Sequence, residues 1–384
     1  MPTILHLSHT NILSDSRILK EIESLKALQN INIIAIGRVA NEKWVNTDGL
    51  SNVQFIGINL WSTKFPRLLK NVLISLEFLI RISITGLATS PTIVHCHDTI
   101  ALPAAVLISI IKKSHLIYDS HELASKRRDL TPFFGAAILR CEKFLWKWVD
   151  TFISVSPAII DWYHKNIGDK ESLLILNSPQ VGNKNSTLCN DKYFHKKFNI
   201  PNQAKVFIYV GILDTGRGIE TCLEAFCSEE NKNHVVFLGA GRLGDKIKQY
   251  TKRSGKIHLH APVLHSDVVN IVKSADYGLC FVENISLSDY YCLPNKLFEY
   301  AFAGLPVLAS NFPEIKRVVD QYNLGLTCEP NQQAIVDAVN LASNNNFLTK
   351  PVDISELSWA TQAERLTARY KKILSQTATA LPNK

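Results

Sequence analysis

No C-x-x-C pair occurs among the eight cysteines, and several of them lie inside apolar stretches such as IVHC and YGLC. A zinc framework of paired thiols is thereby excluded, and the pattern suits reduced cysteines in a cytoplasmic protein. The N-terminus, MPTILHLSHTN, lacks a basic segment followed by a long apolar core, so no signal peptide is expected. Uninterrupted apolar runs of membrane-spanning length are missing too. NVLISLEFLIRISITGLA (71–88) carries Glu77 and Arg81, while TIALPAAVLISII (99–111) is short and broken by Pro103. The first run reads as a half-buried domain helix, although Trp61, Lys64, Arg67 and Lys70 ahead of it keep peripheral membrane contact in view. Neither glycine (17) nor proline (15) is biased toward collagenous or disordered sequence. The net charge of +8 is spread thinly, and clusters such as Lys126, Arg127 and Arg128 lack interleaved aromatics, which argues against nucleic acid as a partner.

What is present is an alternation. Short β-branched runs (TILHLS, INIIAIG, TIVHCHD, HLIYDSH, TFISVS) take turns with segments of helical period such as SRILKEIESLKAL and ALPAAVLISIIKK. Repeated strand–helix–strand units read as a parallel sheet with helices on both faces. Pro157 suits a first helical turn. The alternation lapses over 178–204, where Asn, Lys, Pro and Ser gather, and then restarts with KVFIYVG, HVVFLGAG, KIHLHAPV, YGLCFVE and PVLAS. With 384 residues, two doubly wound α/β domains facing a cleft are expected. Their limits are 1–177 and 205–358, joined by a linker at 178–204, with a helix over 359–384 packing back on the first domain.

Ligands of doubly wound sheets bind beyond the carboxyl ends of the strands, so the loops there carry most weight. VGILDTGRGIE (210–220) offers Gly211, Gly216 and Gly218 for close backbone approach and Arg217 as a forked cation for phosphate oxygens, unless it is a plain strand–helix turn. FLGAGRLGDK contains G-x-G-x-x-G at Gly239, Gly241 and Gly244, but no acidic residue follows at the end of the next strand, so a tight turn is expected rather than a dinucleotide site. In LPNKLFEYAFAGLPVLAS (293–310) a helix opens after Pro294 and stops at Gly304. The N–H groups of Asn295, Lys296 and Leu297 form an anion site for a diphosphate, and Glu299, one turn on, suits a vicinal diol such as ribose. The alternative is a solvent-facing Glu299. In the first half, HTNILSDSR (9–17), HCHD (95–98) and YDSHEL (118–123) bring His97, Asp98, His121 and Glu122 to strand ends. H-x-H-D hints at metal, yet no third ligand at helical spacing supports one, and none is expected.

Taken in this order, the residues resemble the retaining nucleotide-sugar glycosyltransferases of family four, with two Rossmann-like domains in the GT-B arrangement. The likeness runs through SDSRILKEIESL, IVHCHD, YDSHEL, YVGILDTGRGIETCLEAF, VVFLGAG, IVKSADYGLCFVE and LPNKLFEYAFAGLPVLAS, the last in a form met in surface-polysaccharide assembly. It implies a UDP- or GDP-sugar donor held by the second domain and a glycan or lipid-linked acceptor held by the first. Transfer would retain the anomeric configuration without a metal cofactor. By position, Glu299 would hold the ribose hydroxyls, Arg217 the diphosphate, and His97 would lie beside the transferred sugar. Two positions depart from the family's pattern: Tyr291 stands where the first glutamate of E-x7-E belongs, and Ile212 where the loop arginine belongs. Asn295 and nearby backbone are expected to take over part of the missing role. A cytoplasmic protein, peripheral at the inner face of the plasma membrane, follows from that reading. The rivals are a nucleotide-sugar epimerase built on two Rossmann domains and a non-catalytic glycosyltransferase-like subunit.

Overall fold

Strands covered on both faces need no polar alternate positions, and central strands of the second half of this chain, such as VFIYV and YGLC, are accordingly apolar runs, whereas those of the first half carry buried histidines. In the computed structural model, which describes residues 1–38, 52–64, 67–180, 192–345 and 352–379, they build two parallel sheets in two compact units. The first unit comprises Met1–Leu176 with Gln362–Lys384, and the second Asn177–Thr361.

In the first unit the strands are β1 (Thr3–Asn11), β2 (Asn32–Arg38), β3 (Val53–Ile58), β4 (Ile93–His97), β5 (His115–Ser120), β6 (Thr151–Ser154) and β7 (Glu171–Leu174). They lie in the order β3-β2-β1-β4-β5-β6-β7. Winding therefore reverses between β1 and β4, the position where such sheets open a crevice. The helices are α1 (Ser16–Leu25), α2 (Arg67–Leu87), α3 (Leu102–Lys112), α4 (Pro132–Leu145) and α5 (Pro157–Asn166). Pro157 opens α5 behind the N-cap Ser156, whose hydroxyl accepts from the Ile159 N–H. Helix α1 starts at the Asp15 cap and turns Ile18, Ile22 and Leu25 inward, but Arg17 and Glu21 share that buried face. Two charges on an inward stripe require partners inside the fold.

The second unit contains β8 (Val206–Val210), β9 (His234–Leu238), β10 (Ile257–His260), β11 (Tyr277–Cys280), β12 (Val307–Ser310) and β13 (Gly325–Cys328). Its order is β10-β9-β8-β11-β12-β13, with the reversal between β8 and β11. Around it lie α6 (Tyr193–Phe198), α7 (Ile219–Cys227), α8 (Gly244–Arg253), α9 (Val268–Val272), α10 (Leu287–Tyr290), α11 (Asn295–Ala303), α12 (Pro313–Gln321) and α13 (Gln332–Asn345). Helix α6 falls in the stretch read as linker, because Phe194 is buried and Phe198 stacks on His258. Residues 181–191 of that stretch lie outside the described residues. Phe207, Phe226, Phe237 and Phe281 fill the core of this unit, each stabilising the fold by roughly 1.5–3 kcal/mol through burial.

The last helix, α14 (Trp359–Thr379), lies mostly within the first unit. Gln362 accepts from the Leu176 N–H at 3.1 Å, Arg369 donates to Thr151 at 3.1 Å, and Tyr370 reaches His95 at 2.6 Å.

Glycine decides how closely the loops of the second unit pack. Gly239 has φ +152°, and a Cβ there would stand 1.9 Å from the Gly211 carbonyl oxygen. Gly241 similarly faces Leu213, whose carbonyl oxygen would be 2.3 Å from an added Cβ. The G-x-G-x-x-G glycines thus serve backbone packing of one turn on the next. Gly239→Ala should lower stability by about 1–3 kcal/mol or more in urea unfolding, whereas Gly255→Ala, with open space around it, should stay within about 0.5 kcal/mol of the parent.

Candidate functional site

The second unit's reversal point is held open by one tyrosine. β8 and β11 pair only at Phe207–Tyr277 and Ile208–Gly278, and beyond that the strands are bridged by Tyr300 of α11. Its hydroxyl donates to the Ile208 carbonyl at 3.0 Å and accepts from the Val210 N–H at 2.9 Å. Gly278 gives the ring room, since a Cβ there would come within 2.4 Å of it. This anchors α11 so that its first turn sits at the strand ends.

On the other side, the loop from Gly211 to Gly218 returns beneath the end of β11. Gly218, at φ +69°, has no space for a Cβ beside Phe281, and Glu283 donates its N–H to the Gly216 carbonyl at 3.2 Å. Asp214 is clamped by Arg242 through two bonds of 2.9 Å. Held between these contacts, Arg217 has its Nε buried without a hydrogen-bond partner among the described residues.

Lys296 is the second such cation. Only 7% of its surface is exposed, its Nζ is likewise unpartnered among the described residues, and it lies 3.7 Å from the centre of the Tyr209 ring. Burial pushes the Cys222 thiol up to about 12 and the Cys280 thiol up to about 11, in each case against the opposing pull of Lys296. Cys292 is also raised by burial and is within electrostatic reach of both Lys296 and Arg217. The two cations therefore flank one thiol. Glu299 is 6% exposed and within electrostatic reach of Cys280, so it is not a solvent-facing residue. Asn295 is exposed at the tip of α11, whereas Leu297 is buried and, contrary to the expectation of a free donor, gives its N–H to the Pro294 carbonyl at 3.0 Å in the tight first turn. Ile212 is exposed, and Tyr291 caps α10 against the ring of Tyr290.

The first unit's reversal point is filled by its own side chains. His6 and His95 are neighbours in the β1–β4 register, and His97 follows two residues on. All three are fully buried and stacked or tilted at 4.3–5.3 Å between ring centres. Arg17 donates to both oxygens of Asp119 at 3.1 Å, and His121 reaches the same carboxylate at 3.1 Å. Burial favours neutral Asp119, yet Arg17 and His121 hold it well below the usual carboxylate range. Glu21 faces the same guanidinium through Arg17 Nε at 3.1 Å, but burial outweighs that pull and pushes it up to about 8. His97 has no exposed surface. Its Nδ1 lies 3.4 Å from His121, which is the member of the group that reaches solvent.

Asp98 and Glu122 complete the rim. Asp98 adopts φ +62° and accepts from the His121 N–H at 3.2 Å, a backbone strain of order 1–3 kcal/mol held at the end of β4. Glu122 pairs with Arg127 at 3.1 Å. His97, Asp98, His121 and Glu122 thus do converge. The contributions of Arg17, Glu21, His6 and the Lys296 ammonium escaped the sequence reading. Only the buried register of α1, with charges at Arg17 and Glu21 on its apolar stripe, could have signalled part of this.

Over residues 190–358 the chain matches the family model of glycosyl transferases group 1. No curated protein sequence matches it. Among solved structures, sucrose-phosphate synthase from Thermosynechococcus elongatus superposes with a TM-score of 0.73 at 15% identity, covering 99% of this chain and 98% of that one. HepE from Anabaena in complex with UDP gives 0.68 at 15% identity, covering 99% and 100%. A Listeria monocytogenes protein assigned as a UDP-N-acetylglucosamine 2-epimerase gives 0.61 at 12% identity, covering 97% of each chain. At such identities the likeness establishes the shared fold.

Two outcomes follow for the first unit. Arg17→Met strips Asp119 of its buried counter-charge and should cost about 3–5 kcal/mol in chemical unfolding. Burial would lower His121, but Asp98 and Asp119 raise it to about 9. Its folded value exceeds the unfolded one, so its stabilisation is complete below about pH 6.5 and disappears as pH rises through about 9. The stability deficit of His121→Asn should therefore shrink between about pH 6 and about pH 10, as measured by urea midpoints.

Proposed function

We propose that this protein is a retaining glycosyltransferase of family four, moving a sugar from a nucleotide-diphosphate donor to a hydroxyl of a lipid-linked or growing glycan in cell-surface polysaccharide assembly. The observation that carries this reading is a pair of buried cationic nitrogens without hydrogen-bond partners among the described residues, Nζ of the buried Lys296 and Nε of the half-buried Arg217, beside the first turn of α11. Cations withdrawn from water without acceptors are costly, and a ligand anion relieves that cost. The N–H groups of Asn295 and Lys296 support the same reading as a helix N-terminal anion site, and Gly211, Gly216 and Gly218 bring loop backbone toward it. Glu299, one turn deeper, supplies a carboxylate for the two ribose hydroxyls. A UDP-bound relative of the same fold, HepE, supports a nucleotide donor.

Chemically, the bond from the anomeric carbon to the diphosphate oxygen breaks as negative charge grows on the diphosphate. Arg217, Lys296 and the α11 amides stabilise that charge in place, so no metal is required for departure. The acceptor oxygen bonds to the same face of the sugar, and its proton passes to a diphosphate oxygen. This route needs no covalent nucleophile and keeps the anomeric configuration. On this reading His97 acts through the rim histidine His121, which it supports, rather than by touching the sugar.

The acceptor side carries its own feature. Leu76, Ile80 and Ile84 of α2 and Leu107, Ile110 and Ile111 of α3 are exposed, and α2 packs against α3. A groove of about 970 Å³ runs beside α2, lined by Ile58, Trp61, Leu76, Ile80 and Ile84. Among the described residues no helix is long and apolar enough to cross a membrane. Such a face fits peripheral contact with the membrane that holds a lipid-linked acceptor, at the cytoplasmic side of the plasma membrane. The side chains of Lys64, Arg67 and Lys70 lie outside the described residues.

Arg217→Ala, Lys296→Ala and Glu299→Ala should each leave the protein folded and lower sugar transfer by about 10²–10³, the loss typical of one transition-state contact. UDP or GDP should raise the melting temperature of the parent, and less so that of the cation variants. Wild-type turnover in any of the three would refute its assigned role. The shared fold with an epimerase supplies a second reading, decided by incubation with the donor alone: formation of the epimer establishes it, and an unchanged donor excludes it. Ile80→Asp with Ile84→Asp should abolish co-sedimentation with anionic vesicles while leaving nucleotide binding intact, and undiminished co-sedimentation would remove the membrane assignment.

A further inference from the structure

Outside the proposed donor site, the most unusual chemistry lies between β1, β4 and α1. His6, Glu21, His95 and His97 are all fully buried, and each offers one ligand atom within 4.8 Å of the others. Four of their polar atoms have no hydrogen-bond partner among the described residues: His6 Nε2, His95 Nε2 and both oxygens of Glu21. His95 Nε2 lies 3.8 Å from Glu21 Oε2 and 3.7 Å from Asp119 Oδ2.

The surrounding contacts admit an arrangement of protons that leaves two ring nitrogens open. His97 Nδ1 lies 3.4 Å from His121 Nε2 and 3.6 Å from the Asp119 carboxylate. With the proton shared between His6 Nδ1 and His97 Nε2, 3.0 Å apart, resting on His6, a lone pair is left on His6 Nε2. With His95 Nδ1 as the donor to the Tyr370 hydroxyl at 2.6 Å, a lone pair is left on His95 Nε2 as well. That arrangement, with each imidazole donating its second N–H to a fixed acceptor, is how metal-ligating histidines are oriented.

Distance separates the two ways of joining these groups. His95 Nε2 stands 3.8 Å from Glu21 Oε2, beyond hydrogen-bond length. Ligands about 2.0–2.2 Å from one ion are about 3.4 Å apart at the tetrahedral angle and about 3.8 Å when that angle opens. Arg17, the nearest cation, is already matched by its two bonds to Asp119. Its Nε also lies 3.1 Å from Glu21 Oε1, leaving Oε2 turned toward His95.

We infer that His6, His95 and Glu21 form a structural site for one divalent transition-metal ion, with zinc the best fit to two imidazoles and a carboxylate. The ion sits in the core of the first unit, taken up as that unit folds, and has no part in departure of the diphosphate. H-x-H-D on β4 was the visible half of this site, and β1 and α1 bring the rest.

The test uses the full chain, untagged and purified without added metal. Elemental analysis should find about one zinc per chain. Prolonged chelation should lower the melting temperature, and Zn²⁺ should restore it. Glu21→Gln and His95→Gln should lose the bound metal, and Glu21→Gln, nearly isosteric, keeps the test valid where His95→Gln does not fold. Cobalt substitution should give the visible absorption of a low-coordinate nitrogen and oxygen site in the parent, and none in Glu21→Gln. His234→Gln, in the histidine pair of the second unit, should retain the metal. Metal-free parent protein with a melting temperature indifferent to both chelator and Zn²⁺ would overturn the inference, as would full metal content in Glu21→Gln.

Discussion

An ammonium group withdrawn from water must be compensated, and Lys296 is compensated only weakly by what surrounds it. The Tyr209 face contributes about 1–2 kcal/mol as a cation–π partner, and the neighbouring thiols stay protonated because burial raises them. Everything else at the second reversal point maintains this position. Tyr300 locks α11 across the parting strands, Gly278 makes room for that ring, and Gly218 lets the Arg217 loop close against Phe281. A site whose charges are fixed before the ligand arrives pays its reorganisation cost in folding, and its electrostatics act at full strength in a low-dielectric surrounding.

Both units place polar groups where the winding reverses, but they resolve the resulting charge in opposite ways. In the first, Arg17, Asp119 and His121 neutralise one another inside the fold. Crowding there leaves His97 without surface and hands contact with solvent to His121 and Asp98. In the second, the Lys296 ammonium and the Nε of Arg217 remain without acceptors among the described residues. One crevice is closed by its own side chains, and the other is arranged for an anion from outside. The same topology therefore supports a rigid polar core in one half and a binding site in the other.

How much of this could be read from the sequence depended on whether the signal was local. Runs such as VFIYV and HVVFL announce buried parallel strands because no polar residue interrupts them, and the reversal of strand order follows from the alternation with helices. The span of α11 was legible because Pro294 precedes it and Gly304, at φ +71°, terminates it. By contrast, β7 and β13 are four-residue strands at sheet edges, partly buried and partly polar, with no periodicity long enough to count. Helices α10, α12 and α13 also went unread: α10 is a single turn, and α12 and α13 follow strands at or near the edge. Lys296 was visible only as backbone at a helix tip, since no local pattern tells that its ammonium folds under Tyr209.

The histidines of the first unit set the same limit more sharply. On a strand, residues two apart share a face, so HCH in β4 promises two imidazoles side by side and nothing more. Whether they become a core stack, a substrate contact or a ligand pair depends on what the neighbouring strand and the covering helix present. β1 presents His6 in register with His95, and α1 lays Glu21 and Arg17 over both. The residues involved lie up to 91 positions apart in His6 and His97 alone, so their chemistry is a property of strand order. A switch in register of one residue on β1 would turn His6 to the opposite face and leave His95 and Glu21 facing a leucine, Leu5 or Leu7, instead. The polar centre of this unit thus specifies register as well as charge, which an apolar core of the same volume could not do.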